Sequence, residues 1–138
     1  MHLKEIMTSP VATIAPDSSL GDAARKMLKL DIGVLPVSNG QKIVGIVSDR
    51  DITIRGVAKG LDPERTAVRE VMTQEVFTCP AGSDALVACA LMEEKQVRRL
   101  LVMETGEAPV GIVSLGDIVL HLRREKAGSV LKRVSEPA

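Results

Sequence analysis

Aromatic residues are almost absent from this chain. Phe77 is the one aromatic side chain among 138 residues, and there is no tryptophan or tyrosine. Proteins that bind single-stranded nucleic acid usually stack its bases on several aromatic side chains. A stacking platform of that kind, or an aromatic cage for a cation, therefore cannot be built from this sequence.

The chain also lacks an excess of charge and any long hydrophobic run. Its 18 Lys and Arg residues balance 18 Asp and Glu residues, so no overall field attracts nucleic acid or a membrane surface. The first ten residues, MHLKEIMTSP, lack the apolar centre of a signal peptide. No stretch approaches the roughly 20 apolar residues that span a bilayer. We therefore expect a cytoplasmic protein with neither membrane nor nucleic-acid partners.

Residues that could perform catalysis are scarce and scattered. Cys79 and Cys89 match neither a metal-site spacing nor a disulfide framework, and their alignment with apolar positions elsewhere in the chain predicts small core side chains. His2 and His121 are isolated, and the chain has no P-loop and no G-x-G-x-x-G motif. Because an enzyme needs a nucleophile, an acid–base pair or a metal cluster, we predict no catalytic residue, no metal site and no enzymatic activity.

What the chain does contain is one sequence unit written twice. GIVSDRDI at residues 45–52 returns as GIVSLGDI at residues 111–118, with six identities in eight. LKEIMT at residues 3–8 returns as VREVMT at residues 68–73. The offset is 65 residues at first and 66 after one residue is inserted near Ala108. Self-similarity at a fixed period indicates a repeat architecture.

The repeat predicts how the chain is divided. A unit of about 60 residues buries too little surface to be comfortable alone, so the two copies should pack together through their sheets around a pseudo-two-fold axis. The outer helix faces should then support a homodimer, because a two-fold assembly is the commonest way to cover such surface. The expected boundaries are repeat one at 1–60, a linker at 61–67, repeat two at 68–128 and a C-terminal tail at 129–138.

Each copy begins with a short extended piece followed by a helix. In copy one the helix cap is Ser18 or Ser19, and in copy two it is Ser83 or Asp84. The helical spacing of apolar residues predicts the buried faces, which are Leu20, Ala23, Ala24, Met27 and Leu30 in copy one and Leu86, Ala90 and Leu91 in copy two.

Two apolar runs then form a hairpin in each copy. In copy one the runs flank Asn39-Gly40, and in copy two they flank Thr105-Gly106. Asn-Gly between apolar runs is a strong hairpin signal. A second helix should start at Ser48 or Ser114 and end near Gly60 or Gly128. The predicted fold is mixed α+β or α/β, with the order β-α-β-β-α repeated in tandem.

A short S-x-x-D motif marks the point where the last strand turns into this second helix. We call Ser48–Asp51 the first signature and Ser114–Asp117 the second signature. A serine followed three residues later by an acid is a variant of the capping box, which satisfies free N–H groups at the helix start. The same corner can also bind a sugar phosphate, since a helix N-terminus attracts phosphate and a carboxylate can accept both ribose hydroxyls. The S-x-x-D motif is therefore compatible with helix capping and with ligand binding.

The doubled pattern resembles a pair of CBS domains, also called a Bateman module. The residues that carry this resemblance are the MT openings, Leu35-Pro36-Val37 and the G-I-V-S-x-x-D-I motif, and it covers nearly the whole chain. The stretches SDRDITIRGVAKGLDP and LMEEKQVRRLLV are similar to stand-alone bacterial CBS-pair proteins of the hypoxic-response type. The resemblance implies a regulatory module that binds adenosine nucleotides or related ligands between its halves, with an unknown target protein.

The resemblance also assigns roles to particular residues. Ser48 and Asp51 would hold ribose and phosphate in one cleft, and Ser114 and Asp117 would do so in the other. Candidate ligands are AMP, ADP, ATP and S-adenosylmethionine. The resemblance makes none of them a catalytic cofactor.

Basic and apolar residues complete the expected sites. Arg98 and Arg99 match the family's basic residues before the second strand and would reach the phosphate of the first site, while Arg50 would serve the second. The adenine of the first site would lie against aliphatic groups, namely Ile14, Val34 and Pro36.

The two copies differ in ways that bear on the ligand. Leu101 replaces the proline that copy one keeps as Pro36, and Asp49 adds a negative charge beside the first signature. That charge disfavours a polyphosphate, so we expect an AMP-like ligand in the first site. The alternative is a ligand-free scaffold that mediates dimerisation or partner binding. The arginine pair separates the two hypotheses, because helix capping does not require it.

Overall fold

The computed structural model describes residues 2–104 and 108–135. In each copy a helix, a hairpin and a second helix follow one another in the predicted order. The extended piece before the first helix is a strand in the second copy only, and in the first copy it forms a single bridge between Ile14 and Val37. The main elements are α1 (Leu20–Leu30), β1 (Val34–Ser38), β2 (Ile43–Ser48), α2 (Asp49–Asp51), β3 (Thr78–Pro80), α3 (Ala85–Lys95), β4 (Arg99–Met103), β5 (Pro109–Ser114) and α4 (Leu115–Ser135).

The chain forms two compact units. The opening segment of each sequence repeat packs in the unit that is built mainly from the other repeat. The first unit is Val11–Val76, and the second unit is Met1–Pro10 together with Phe77–Ala138. Leu3, from the start of the chain, lies fully buried in the core of the second unit. Val68 and Val71, from the start of the second sequence repeat, lie in the core of the first unit. The compact units therefore differ from the sequence repeats in where these two openings pack.

The first unit is built on the predicted hairpin. β1 and β2 pair antiparallel, with Val34 opposite Ser48, and Asn39 Oδ1 closes the turn by accepting hydrogen bonds from the N–H groups of Gln41 and Lys42, both at 3.0 Å. Ser19, not Ser18, caps α1 by accepting from Asp22 N at 3.0 Å. The core residues are Ile14, Leu20, Ala23, Met27, Leu35, Val37, Val47, Ile52, Val68 and Val71. Ala24 and Leu30, expected in the core, are exposed.

The second unit repeats this plan with one more paired strand. β3 runs parallel to β4, and β4 runs antiparallel to β5. Asp84 caps α3 by accepting from Leu86 N at 2.9 Å. The core residues are Leu3, Cys79, Ala81, Ala85, Ala88, Met92, Leu100, Val102, Val113 and Ile118. The Thr105-Gly106 turn lies outside the described residues.

The predicted buried face of α3 was wrong. Leu86 and Ala90 are exposed, and Leu91 is only half-buried. The buried residues of α3 are Ala85, Ala88 and Met92. At the 65-residue offset Ala85 corresponds to Leu20, the first buried residue of α1. Alignment of the two copies therefore predicts correctly which positions of α3 face the core. The apolar pattern alone fails because α3 also carries apolar residues on its exposed side.

The cysteines occupy the positions that the alignment predicts. Cys79 is buried and Cys89 is half-buried, and both thiols are free. Cys79 belongs to the core of the second unit, and Cys89 packs against the same core. Both behave as small apolar side chains, as expected for unpaired cysteines.

The second helices of the two copies differ. In the first unit α2 gives way to a π-helical turn at Ile52–Gly56 and a 3₁₀ turn at Val57–Lys59, and it stops at Gly60, whose φ of 73° is left-handed. In the second unit α4 continues through Gly128 to Ser135. The expected end near Gly128 was therefore wrong, because a glycine costs a helix only about 1 kcal/mol.

The segment expected as a linker is anchored within the first unit. Leu20 N donates to Thr66 O and Gly21 N donates to Pro63 O, both at 3.0 Å. Arg25 forms an ion pair with Glu64 at 2.8 Å. Residues 61–67 are therefore held against the start of α1. Among the described residues, no helix combines the length and the apolar character that crossing a bilayer requires.

Candidate functional site

The first signature forms a complete capping box. Ser48 ends β2 with an extended backbone and is only 8% exposed. Its Oγ accepts a hydrogen bond from Asp51 N at 3.1 Å, and its own N–H donates to Asp51 Oδ2 at 2.9 Å. The two residues therefore satisfy each other's backbone N–H groups at the helix start.

The second signature repeats this geometry at the start of α4. Asp117 N donates to Ser114 Oγ at 3.0 Å, and Ser114 N donates to Asp117 Oδ2 at 3.1 Å. Ser114 and Asp117 are both half-buried. The structure therefore confirms the capping interpretation in both copies.

Capping leaves part of each signature available for chemistry. Each serine Oγ accepts one hydrogen bond, and no described residue receives the hydroxyl proton. Each aspartate uses Oδ2, and Oδ1 has no hydrogen-bond donor within residues 2–104 and 108–135. A hydroxyl donor and a carboxylate acceptor therefore stand side by side in each unit.

The apolar residues proposed for the adenine do not all lie together. In β1, Val34 is opposite Ser48 and Pro36 is opposite Ile46. Because side chains alternate along a strand, Val34, Pro36 and Ser48 share the hairpin face opposite Leu35, where Val34 is half-buried and Pro36 and Ser48 are buried. Ile14 instead packs inside the core of the first unit. The structure places Ile14 beside Pro36, whose backbone oxygen accepts from Ile14 N at 3.0 Å, but the Ile14 side chain lies on the core face, away from the side chains of Val34 and Pro36.

The three arginines proposed for phosphate binding are free to act. Arg50, Arg98 and Arg99 are all exposed, and within the described residues no hydrogen bond or ion pair engages their guanidinium groups. In the second unit Arg99 lies directly across the hairpin from Ser114. The register therefore places a free cation beside the second signature as well, which the sequence alone did not indicate.

The position that matches Arg98 in the first copy is Gly33, and both positions make the same backbone contact. Leu115 N donates to Arg98 O at 2.8 Å, and Asp49 N donates to Gly33 O at 2.9 Å at the matching place. A β-carbon on Gly33 would lie 2.9 Å from Asp49 Oδ2. In its present rotamer the Asp49 carboxylate therefore occupies the space beside Gly33, and a side chain at position 33 would require it to move.

An open groove lies beside the first signature. It has a volume of about 440 Å³ and is lined by the end of α1, the loop that follows it, and the start of the second helix. Asp49 and Gly33 line it together with Leu28 and Thr53, whereas Ser48 and Asp51 do not. Of the first signature, Asp49 therefore contributes to this groove, whereas the capping pair Ser48 and Asp51 does not.

Arg55 and His121, each four residues after a signature aspartate, do not form an ion pair with that aspartate. Arg55 does not pair with Asp51 and instead donates to the backbone oxygens of Val71 and Met72 at 3.2 and 3.4 Å. His121 pairs with Glu125 at 3.2 Å. The Arg55 contact could not be predicted, because nothing in the sequence shows that residues 71–72 pack against the helical turn that carries Arg55.

Metal ligands do not cluster in the described structure. Nowhere in residues 2–104 or 108–135 do three or more His, Cys, Asp or Glu side chains come close enough together to hold a metal ion.

Comparison with known proteins identifies the family. The model of the CBS domain matches the chain twice, at residues 3–56 and 68–124. The chain therefore belongs to the CBS-domain family, and it is a tandem pair of these domains. It is 36% identical over 134 residues to the CBS domain-containing protein YhcV of Bacillus subtilis, covering 96% of this chain and 94% of that protein. It is 33% identical over 135 residues to hypoxic response protein 1 of Mycobacterium tuberculosis, covering 97% and 94%.

Solved structures share the same fold. Hypoxic response protein I with two coordinated zinc ions superposes with a TM-score of 0.70 at 34% identity, covering 88% of this chain and 98% of that one. The CBS domain pair of protein MJ0100, solved with 5-methylthioadenosine and S-adenosyl-L-methionine, superposes with a TM-score of 0.78 at 25% identity, covering 91% and 98%. The fold is thus the mixed α and β arrangement of a CBS pair, as predicted.

Proposed function

We propose that this protein is a regulatory sensor that binds adenosine nucleotides at its S-x-x-D signatures and favours AMP-like ligands. The observation that carries this proposal is the pairing, in each signature, of a serine hydroxyl with a carboxylate oxygen that accepts no hydrogen bond from the described residues. A ribose needs a carboxylate acceptor, and a phosphate needs hydroxyl and N–H donors. Each signature offers both kinds of group.

The ligand class is supported by a relative. The CBS pair of MJ0100 was solved with two adenosine compounds, and it shares its fold with this chain. Both of those compounds contain adenine and a ribose, which is the part that a serine–aspartate pair can recognise. The shared nucleoside makes an adenosine ligand the first class to test here.

We assign the phosphate to the free arginines. Arg98 and Arg99 supply planar donors for a phosphate bound at the first signature, and Arg50 serves the second. Asp49 adjoins the first signature and is exposed, so its negative charge opposes the extra phosphates of ATP. Val34 and Pro36 provide an apolar surface for the adenine on the same strand face as Ser48.

A second candidate function rests on exposed apolar side chains. Leu28 on α1 is 83% exposed and Leu86 on α3 is 76% exposed. Exposed leucines on helix faces favour a homodimer or a scaffold that binds a partner without a ligand. Light scattering at micromolar concentration tests the dimer, with Leu28→Glu and Leu86→Glu as variants. A monomeric mass for the unmodified protein would rule out this self-association.

A thermal-shift screen tests the sensor function. The protein is heated with AMP, ADP, ATP, adenosine and S-adenosylmethionine, each at several concentrations. A ligand present at 100 times its Kd stabilises the folded state by about 2.7 kcal/mol, which moves the midpoint by several degrees. We expect the largest shift with AMP. No shift with any adenosine compound up to millimolar concentration would contradict the proposal and favour the scaffold.

Binding without turnover is part of the same proposal. After incubation of the protein with ATP, chromatography should show the same nucleotides as a control without protein. Product that survives repurification and disappears in a point variant would show an enzyme instead.

A further inference from the structure

The segment Val71–Thr73 of the first unit is held at two points. Thr73 and Ile46 exchange backbone hydrogen bonds of 2.8 and 2.9 Å, which add Thr73 to the edge of β2. Arg55 then donates to the backbone oxygens of Val71 and Met72 at 3.2 and 3.4 Å. After this segment the chain reaches Val76, the last residue of the first unit, and at Phe77 it enters the second unit again. We call Val71–Thr73 the connecting segment.

Both holding points flank the first signature in the sequence. Ile46 lies two residues before Ser48 on the same strand. Arg55 lies four residues after Asp51, in the π-helical turn Ile52–Gly56. Such turns occur in α-helices mostly as single-turn insertions and are frequent at functional sites. The strand and the helix that meet at the capping box therefore also carry the two groups that hold the connecting segment.

The second unit has only one of the two holding points. Thr8 and Ile112 exchange hydrogen bonds of 2.9 and 3.1 Å in the same way. The residue that matches Arg55 at the 66-residue offset is His121, whose Nε2 lies 3.2 Å from Glu125 Oε1 on its own helix. α4 is a continuous helix without a π-helical turn. The arginine contact is therefore a feature of the first unit that its counterpart does not repeat.

We propose that Arg55 is a positioning residue that couples the first signature to the connecting segment. The inference rests on the proposed function, because it concerns what a bound nucleotide does. A ligand that bonds to the free Ser48 hydroxyl and to Asp51 Oδ1 acts on the same two side chains that form the capping box. The helix start adjusts, and Arg55 carries the adjustment to the carbonyl groups of Val71 and Met72. Ligand binding is thereby read out in the chain that joins the two units.

Amide hydrogen exchange on the full chain tests this coupling. Arg55→Gln removes the cationic donor, and Lys59→Gln is the matched control, because Lys59 is an exposed cation one helical turn further on. Without ligand, we expect Arg55→Gln to speed exchange at the amides of residues 71–74 at least threefold and Lys59→Gln to leave it unchanged. Equal exchange in Arg55→Gln and the unmodified protein would overturn the role of the contact.

Exchange with AMP distinguishes the coupling from binding itself. Calorimetry first establishes AMP binding to the unmodified protein, and we expect Arg55→Gln to keep its Kd within about threefold. AMP should slow exchange at residues 71–74 in the unmodified protein and in Lys59→Gln but not in Arg55→Gln. Equal slowing in all three proteins would overturn the coupling alone. Absence of AMP binding to the unmodified protein would overturn the proposed function, and the coupling with it.

Discussion

The side chain of Met72 packs directly on Gly45. A β-carbon on Gly45 would lie 2.7 Å from Met72 Sδ and 2.9 Å from the backbone oxygen of Thr73. The matching pair in the second unit is Met7 and Gly111. The methionine of each MT opening thus fills the space beside the glycine of a GIVS motif. This contact is one physical reason why both copies have a methionine and a glycine at these positions.

The two glycines should respond differently to alanine. The crowding atoms at Gly111 all belong to the flexible Met7 side chain, whereas at Gly45 the backbone of Thr73 is also in the way. Overpacking a rigid site typically costs about 1–3 kcal/mol. We expect Gly45→Ala to lower the free energy of unfolding by that amount and Gly111→Ala by less, as measured by urea denaturation. The reverse order would show that the Thr73 backbone yields more readily than Met7.

Removal of the Leu3 side chain should destabilise the second unit, although Leu3 is almost at the start of the chain. Leu3 is fully buried among residues that follow Phe77. A buried Leu→Ala change costs about 2–5 kcal/mol. We expect Leu3→Ala to speed amide exchange in β4 and α3, with exposed Val134→Ala as the control. A loss of protection confined to residues 11–76 would contradict the exchange of opening segments.

The signature serines should stabilise the protein even without a ligand. Ser48 and Ser114 each cap a helix start, and loss of a cap costs about 1 kcal/mol. We expect Ser48→Ala and Ser114→Ala each to lower the midpoint of urea unfolding. Ser18→Ala is the control, since Ser19 is the residue that caps α1. An unchanged midpoint in both signature variants would mean that the capping bonds contribute nothing to stability.

Acid should weaken the hold of α1 on residues 61–67. The Arg25 guanidinium lowers the pKa of Glu64 and of Asp22 by hydrogen bonding to both carboxylates. A lowered pKa in the folded state gives stability that is present above the ordinary carboxylate pKa and is lost as the pH falls through the lowered value. The stability advantage over Arg25→Met should therefore be present at neutral pH and fade below roughly pH 4. An advantage that persists at pH 3 would assign the effect of Arg25 to packing.

Much of the fold follows from the repeat and from local signals. Asn39-Gly40 predicts the first hairpin because both residues suit a tight turn, and the signatures predict the helix starts because Ser and Asp satisfy free N–H groups there. The buried position of Cys79 follows from its alignment with an apolar residue. Each of these features depends on interactions within a few residues or on the comparison of two copies.

The exchange of the openings could not be predicted in the same way. LKEIMT and VREVMT present nearly the same apolar residues, so either opening could pack on either core, and the choice depends on the path of the chain. The Arg55 contact depends on that choice, because Val71 and Met72 belong to the exchanged segment. The Val34–Ser48 register was predictable from the hairpin, but the burial of Ile14 on the opposite face was not, since a single bridge to Val37 fixes it.

The central claim is that the first signature binds an adenosine nucleotide and divides its recognition between sugar and phosphate. Calorimetry with AMP and with adenosine on Asp51→Ala and Arg99→Ala tests it most directly. Asp51→Ala should weaken both ligands, because it removes the acceptor for the ribose hydroxyls. Arg99→Ala should weaken AMP by roughly 1.5–3 kcal/mol, as for a lost charged hydrogen bond, and leave adenosine unchanged. Equal losses for both ligands in Arg99→Ala, or unaltered binding of both in Asp51→Ala, would contradict this account.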